Sequence, residues 1–271
     1  MLSVVFWNLQ KRPRSEIVGR MARERAADLV ILTECDEDDD LMLQSLRDAT
    51  GKPFRNVDDL SQKVRVFSCL PISMVRPHSN SACGRISIQR IVLAKTEFLL
   101  VAVHLVSKLN RTDSDQLSDA IELSTQIKTA EKYFNHQQSV LVGDLNMNPF
   151  DEGMVCASAL HGVMTRRIAD KRTREVGRIE HPFFYNPMWG LMGDRTPVPS
   201  GTHYCLLGRP TEYFWNTFDQ ILIRPDLCYA FEDDLQVLTK IEETNLLTIN
   251  GLPDKNVGSD HLPLVFRLNL E

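Results

Sequence analysis

Short, largely apolar runs that stop at a polar residue recur along this chain of 271 residues. Leu2–Trp7 stops at Asn8, Leu29–Leu32 at Thr33-Glu34, Leu99–Val103 at His104, and Ser139–Val142 at Gly143-Asp144-Leu145-Asn146. A last run, Leu262–Leu268, is joined to Ser259-Asp260-His261-Leu262-Pro263. Runs of this length without polar alternation read as strands buried on both faces. A polar group at the end of such a strand sits on a rigid scaffold, and several strand ends can be aimed at one point. Asn, Glu, His, Asp/Asn and Asp/His delivered in this way suit one divalent metal and a phosphate.

Between these runs the chain alternates with helical patterns. Ser15 is placed to cap a helix reaching about Asp28, with Ile17, Val18, Met21, Ala22 and Ala26 on one face. The acidic run Asp36–Asp40 suits the first turn of a helix near Leu41–Leu46. Lys63–Val75, Arg85–Leu93 and Glu97–Val106 read as strands, with Pro71, Pro77 and the 80–84 stretch as punctuation. Asp113–Phe134 reads as a long amphipathic helix with Leu117, Ile121, Ile127 and Ala130 inward. A short helix is expected over Phe150–Leu160, and further strands over Phe218–Ile223 and Leu235–Leu238. Propensity alone gives an α/β or α+β chain folded as one domain over 1–271. An irregular basic and aromatic insertion lies around 161–215, and a long loop of that kind is usually functional or mobile.

Charge and cysteine usage narrow the classes. The net charge of −5 argues against bulk-charge coating of nucleic acid, though not against a locally basic cleft. The six cysteines form no C-x-x-C pair, which argues against a zinc site of that type. No signal-peptide pattern precedes the first strand and no apolar run reaches membrane-spanning length. Reduced thiols, a cytoplasmic location and no stable membrane association are the expectation.

Taken in order, Trp7-Asn8, Thr33-Glu34, His104, Gly143-Asp144-Leu145-Asn146, Asp219 and Ser259-Asp260-His261 resemble the endonuclease/exonuclease/phosphatase superfamily of deoxyribonuclease I-like enzymes. The resemblance spans Trp7 to Pro263. It implies a four-layer α/β sandwich, two packed sheets flanked by helices. It also implies Mg²⁺-dependent phosphodiester hydrolysis, with Mn²⁺ able to substitute and one or two ions bound. By the same match Asn8, Glu34 and Asp260 would hold the metal. His104, Asp144, Asn146 and His261 would act on the phosphate or the attacking water, and Asp219 would orient His261. Each residue also has a plainer reading: a strand-end Glu34, a turn-forming Asn8, an Asx turn ahead of Pro149, a hydrogen-bonded rim His104. His104, in Val103-His104-Leu105-Val106, departs from the Tyr-x-Pro-Asn run usual in AP endonucleases.

The substrate is less legible. Arg166, Arg167, Arg172 and Arg174 fall in a basic stretch, Lys11, Arg12 and Arg14 follow Asn8, and Arg85 could enter the cleft. Such residues would give sequence-independent phosphate contacts, and nearby aromatics could stack bases. A nuclease acting on DNA or RNA is the leading expectation. The alternatives are a phosphatase or phosphodiesterase on a small phosphorylated molecule or phospholipid headgroup, a non-catalytic binding module, and, for the charge run, a solvated surface.

Overall fold

Leu2–Asn8 and Leu29–Thr33 are parallel neighbours, joined by the helix Ser15–Glu24. They are the centre of a sheet in the computed structural model, which describes every residue except 58–60, 62, 81–83, 195–198, 209 and 271. Among the described residues this sheet has six strands, in the order Gln236–Val237, Leu264–Leu268, Leu2–Asn8, Leu29–Thr33, Val64–Ser68, Arg55–Asn56. A second sheet has seven: Val75–Asn80, Ile86–Val92, Glu97–His104, Ser139–Asp144, Asp219–Ile223, Phe184–Tyr185, Gly162–Val163. Both are mixed, and the whole is the α/β sandwich that the resemblance implied.

The apolar runs explain the layering. In Glu97–His104, Phe98, Leu100 and Ala102 join the large core cluster shared with the six-stranded sheet. The alternate residues Leu99, Val101 and Val103 join a second cluster with Leu123, Ile127 and Ala130 of the helix Asp113–Phe134. Ser139–Asp144 divides the same way, Val140 and Val142 inward and Leu141 outward. A strand with both faces covered is largely apolar along its length, because successive side chains point to opposite faces. Each fully buried Leu, Val or Phe contributes roughly 1.5–3 kcal/mol.

Several boundaries differ from the sequence reading. The first helix stops at Glu24 rather than about Asp28, and Ala26 has φ of 52°. Ser15 is not its side-chain cap: Ser15 Oγ donates to Glu37 at 2.7 Å. The acidic run starts a helix as expected, Asp39–Thr50, and the Asp38 carboxylate accepts from the Asp40 amide. The strand expected over Lys63–Val75 ends at Ser68, before Pro71, and a new one starts at Val75. Asp113–Phe134 forms over its full expected length, opened by a reciprocal Thr112–Asp115 capping box. Ile121 is exposed on it, whereas Ala120 and Leu123 face the sheet. Phe150–Leu160 reduces to the turn Glu152–Val155, because Pro149 and the loop around Asn148 take up the start. The insertion carries a hairpin, Thr173–Val176 with Ile179–Pro182. Residues 195–198 and 209 within it, and Cys83 with most of the expected 80–84 turn, lie outside the described residues. Cys35, Cys69, Cys156 and Cys228 are free thiols. Among the described residues no helix is long and apolar enough to cross a membrane.

Candidate active site

Strand direction brings the expected residues to one end of the sandwich. Asn8 and Glu34 follow the parallel pair in the first sheet, and Leu264–Leu268 runs antiparallel to Leu2–Asn8, so Asp260 and His261 precede it at the same end. In the second sheet His104 pairs with Asp144 and Asp144 with Asp219 across three adjacent strands. Asp219 therefore begins its strand instead of ending it. Gly143 permits this register: with φ of 152°, a Cβ there would run into the carbonyl oxygen of Val103.

Buried hydrogen bonds lock the two sheets together at this end. Asn8 Nδ2 donates to Asp144 Oδ2 at 2.9 Å, and Trp7 Nε1 donates to the His261 carbonyl at 2.8 Å. His261 Nδ1 lies 2.7 Å from Asp219 Oδ2. Asp219 is fully buried. Burial opposes charge on the His261 ring, but the Asp219 carboxylate, with Asp144 and Asp260, raises its pKa from 6.5 to about 10. The ring is thus an imidazolium at neutral pH whose Nδ1–H is committed to Asp219, which leaves Nε2 to work. Burial pushes the Asp144 carboxyl up.

Glu34 and His104 form the next part. His104 Nε2 stands 3.5 Å from Glu34 Oε1 and 3.8 Å from Asp144 Oδ2. The His104 hydrogen bond holds the Glu34 carboxyl below its usual range, against the effect of burial. Glu34 itself sits at φ of 47°, a conformation stabilised by the Lys11 amide donating to its carbonyl at 2.8 Å. Asp144 and Asn146 do not lie on extended chain as i and i+2. Asn146 has φ of 51°, and its amide donates to Asp144 Oδ1 at 2.9 Å, an Asx turn. Asn146 Nδ2 donates to the Leu105 carbonyl at 3.2 Å, and Gln116 Nε2 holds the Asn146 carbonyl at 2.6 Å. Asn148 fixes the next loop instead, through Asn216 and the Thr217 amide.

Glu34, His104, Asp144, Asn146, Asp260 and His261 all line one cavity of about 800 Å³. Asn8 and Asp219 stand behind that wall, bonded to residues that line it. Two lining residues escaped the sequence reading. Gln10, at φ of 50°, donates from Nε2 to Asp260 Oδ2 at 2.7 Å, and its amide donates to Asn8 Oδ1. Its position two residues past Asn8 was the available signal. His203 lies in the irregular insertion and had no strand pattern to mark it. It bridges to the backbone of His261, and the two rings have centroids 4.5 Å apart.

The structure does not bring the arginines to the cavity. Tyr185 pairs with Ile223, at the opposite end of the strand from Asp219. Arg166 packs over Tyr185 and Phe231 and donates to the Cys228 and Phe231 carbonyls and to Asp233. Arg172 pairs with Asp226, and Arg167 and Arg174 are exposed on the same far end of the sheet. None of these four arginines lines the cavity. Arg85 is absent from the cavity lining and donates to the His104 and Leu105 carbonyls, so it braces the strand end. Arg14 ties the Asn8 loop to the carbonyls of Gly258, Lys255 and Asn256, while Lys11 and Arg12 are exposed.

No family model matches the sequence, and no curated protein sequence does. Solved structures do match the fold. An AP endonuclease from Archaeoglobus fulgidus superposes with a TM-score of 0.58 at 15% identity, covering 99% of this chain and 100% of that one. The endonuclease domain of TRAS1, a telomere-specific non-LTR retrotransposon, gives 0.56 at 14% over the whole of both chains. The 3′ phosphatase NExo from Neisseria, bound to a product DNA hairpin, gives 0.57 at 15% over 99% of each. With two mixed sheets, flanking helices and this set of solved neighbours, the chain has the deoxyribonuclease I-like fold of the endonuclease/exonuclease/phosphatase superfamily.

Proposed function

We propose that the protein hydrolyses phosphodiester bonds at this cavity with the help of a divalent cation, Mg²⁺ or Mn²⁺. The observation that carries this reading is the convergence, at one cavity, of Glu34–His104 and Asp144 with the Asp219–His261 pair. The donor set fits a hard cation. Glu34 and Asp260 offer carboxylate oxygens and Asn8 an amide oxygen, and Glu34 has no lysine or arginine partner among the described residues. Oxygen donors of this kind suit Mg²⁺. A bound cation would supply charge neutralisation on the phosphoryl and leaving oxygens.

The chain's own groups do the rest. Asn146 and the His261 imidazolium present donors to a phosphoryl oxygen, and charge placed in a preorganised site stabilises the transition state. Asp144, held by Asn8 and the Asn146 amide, orients the attacking water. Asp219 keeps the His261 ring charged and in one orientation. His104 sits between Glu34 and Asp144 and fixes both carboxylates at the cavity wall.

A polynucleotide is the first reading of the substrate, supported by fold neighbours whose names are those of nucleases and a DNA-bound phosphatase. One observation favours a second reading, a small phosphodiester. Beyond the reacting centre the described cavity wall carries Asp113, Asp151, Glu152 and Glu212 against Lys108 alone, and Lys108 is paired with Asp151 at 2.7 Å. Flanking phosphates would be repelled there. The test is hydrolysis of bis(p-nitrophenyl) phosphate, single- and double-stranded oligonucleotides and phosphorylated small molecules, with Mg²⁺, Mn²⁺ or EDTA. Activity that needs the cation and collapses in Glu34→Ala is expected. Full activity in EDTA overturns the metal role, and no turnover of any diester overturns the whole reading.

A further inference from the structure

Among the described residues two trios of His, Asp or Glu have donor atoms within 4.8 Å of one another. One, Asp144–Asp219–His261, is closed: all three are buried and His261 Nδ1 is already bound to Asp219. The other, His203–Asp260–His261, opens on the cavity, and all three residues line it. We propose that His203, Asp260 and His261 form a site for one borderline divalent cation of the zinc class, distinct in ligand chemistry from the oxygen donors Asn8 and Glu34.

Two imidazoles and one carboxylate are a donor set that zinc-class ions take, with an open position left toward the cavity. Bond lengths of roughly 2.0–2.1 Å require the donors to close in by less than about an ångström. The outer partners that such ligands need are in place. His261 commits Nδ1 to Asp219 at 2.7 Å, leaving Nε2 as its ligand atom. Asp260 Oδ2 accepts from Gln10 Nε2 at 2.7 Å, with Lys255 Nζ at 4.0 Å as the nearest fixed positive charge. His203 is positioned by its backbone bridge to His261 and by Phe218, whose ring is 5.4 Å away and nearly parallel. His203 Nε2 is 3.9 Å from Asp260 Oδ2, and His203 Nδ1 is buried with no hydrogen-bond partner. Packing accounts for the ring faces of His203 but not for its unused buried nitrogen.

Occupation has a consequence for the proposed reaction. The cation takes Asp260 from the oxygen-donor set and occupies His261 Nε2, the atom that faces the phosphoryl group in the proposed reaction. Zinc-class ions are therefore inhibitors of the Mg²⁺-supported enzyme, and His203 is the residue that admits them. Only this consequence rests on the hydrolase reading; the binding site does not.

The test measures binding first. Zn²⁺ is titrated calorimetrically into the full chain freed of other metals, and Co²⁺ absorption is recorded in parallel to tell nitrogen and oxygen ligands from thiolate. Expected is one Zn²⁺ site of micromolar affinity or tighter, with Co²⁺ bands lacking the thiolate charge-transfer feature. His203→Phe, which keeps a flat ring between Phe218 and His261, should weaken it at least roughly tenfold, as should loss of the outer partner in Asp219→Asn. His203→Gln is the second variant should the first not fold. Equal Zn²⁺ affinity in folded wild type and both His203 variants overturns the site, as does thiolate-type Co²⁺ absorption. In the diester assay at saturating Mg²⁺, the half-inhibitory Zn²⁺ concentration should rise in His203→Phe by the same factor as the dissociation constant. A chain that binds Zn²⁺ as described but turns over no diester leaves the site standing and sinks the hydrolase reading instead.

Discussion

Replacing Asp219 by Asn tests what the buried pair is for. Burial alone drives the His261 ring toward its neutral form, and the largest counterweight is the Asp219 carboxylate 2.7 Å from Nδ1. Asn keeps the shape and a hydrogen-bonding oxygen but removes the charge, so the ring falls from about 10 toward, or under, its ordinary 6.5. A ring titrating near 6.5 is about 75% charged at pH 6, 25% at pH 7 and 3% at pH 8. If the charge on His261 is what acts, the variant's turnover of bis(p-nitrophenyl) phosphate should be close to wild type at pH 6. It should be lower by about 30-fold at pH 8, with the ratio falling tenfold per pH unit above 7. His261→Ala should instead lose roughly 10²–10⁴-fold at every pH. Stability supplies a companion sign. A folded-state pKa raised above 6.5 contributes stability that is fully present below that pH and fades as pH rises through about 10. Asp219→Asn should flatten that alkaline decline in urea melts. A variant-to-wild-type activity ratio that is constant from pH 6 to 9 refutes the argument, because Asp219 would then only orient the ring.

Other outcomes follow from geometry away from the cavity. Arg224 and Glu131 form a buried pair, with Nε to Oε1 at 2.8 Å and the guanidinium 3.8 Å from the Phe184 ring centroid. Arg224→Met should cost about 3–5 kcal/mol in chemical denaturation by stranding Glu131, and Arg224→Met with Glu131→Leu should recover most of it; a double variant as weak as the single one counts against this. His161 is buried with Nδ1 near the His181 and Pro182 carbonyls, and burial, with Arg174, pushes its pKa to about 4. The unfolded chain takes up that proton first, so stability should fall as pH drops from 6.5 toward 4. His161→Asn, tolerated at φ of 51°, should remove on the order of 2 kcal/mol of that acid loss; an identical acid decline in both proteins would show that His161 is not responsible. Neutralising Arg167 and Arg174 together should leave kcat/KM on an oligonucleotide and its salt slope unchanged. A slope flattened by even one phosphate contact, about 0.7–0.9, would return those residues to the substrate path.

How far the sequence carried the site depends on the kind of constraint each residue obeys. Asn8, Glu34, His104 and Asp144 end largely apolar runs that read as strands, because a strand buried on two faces carries few polar residues along its length. Their convergence was readable once the strands were taken to share an end. Direction within the sheet was not readable locally: Asp219 and His261 enter at strand beginnings, and only the antiparallel pairings place them beside Asp144. Asn146 is different again: the Asx turn that was its plainer reading forms, and with a left-handed backbone it is what delivers the side chain to the cavity. The placement of the basic stretch was not legible either, because charge density says nothing of which end of a sheet a loop occupies. Arg166 is spent on carbonyls at the far end, and the cavity it was expected to serve is walled by carboxylates. His203 was invisible for the same reason in reverse. It reaches the site on the two-residue strand His203–Tyr204, just after Gly201 lets the chain approach Asn216 closely, a contact set by tertiary packing alone. Local pattern thus reveals the side chains that end buried strands, and it hides those that tertiary packing alone brings to the cavity, His203 and the acidic wall.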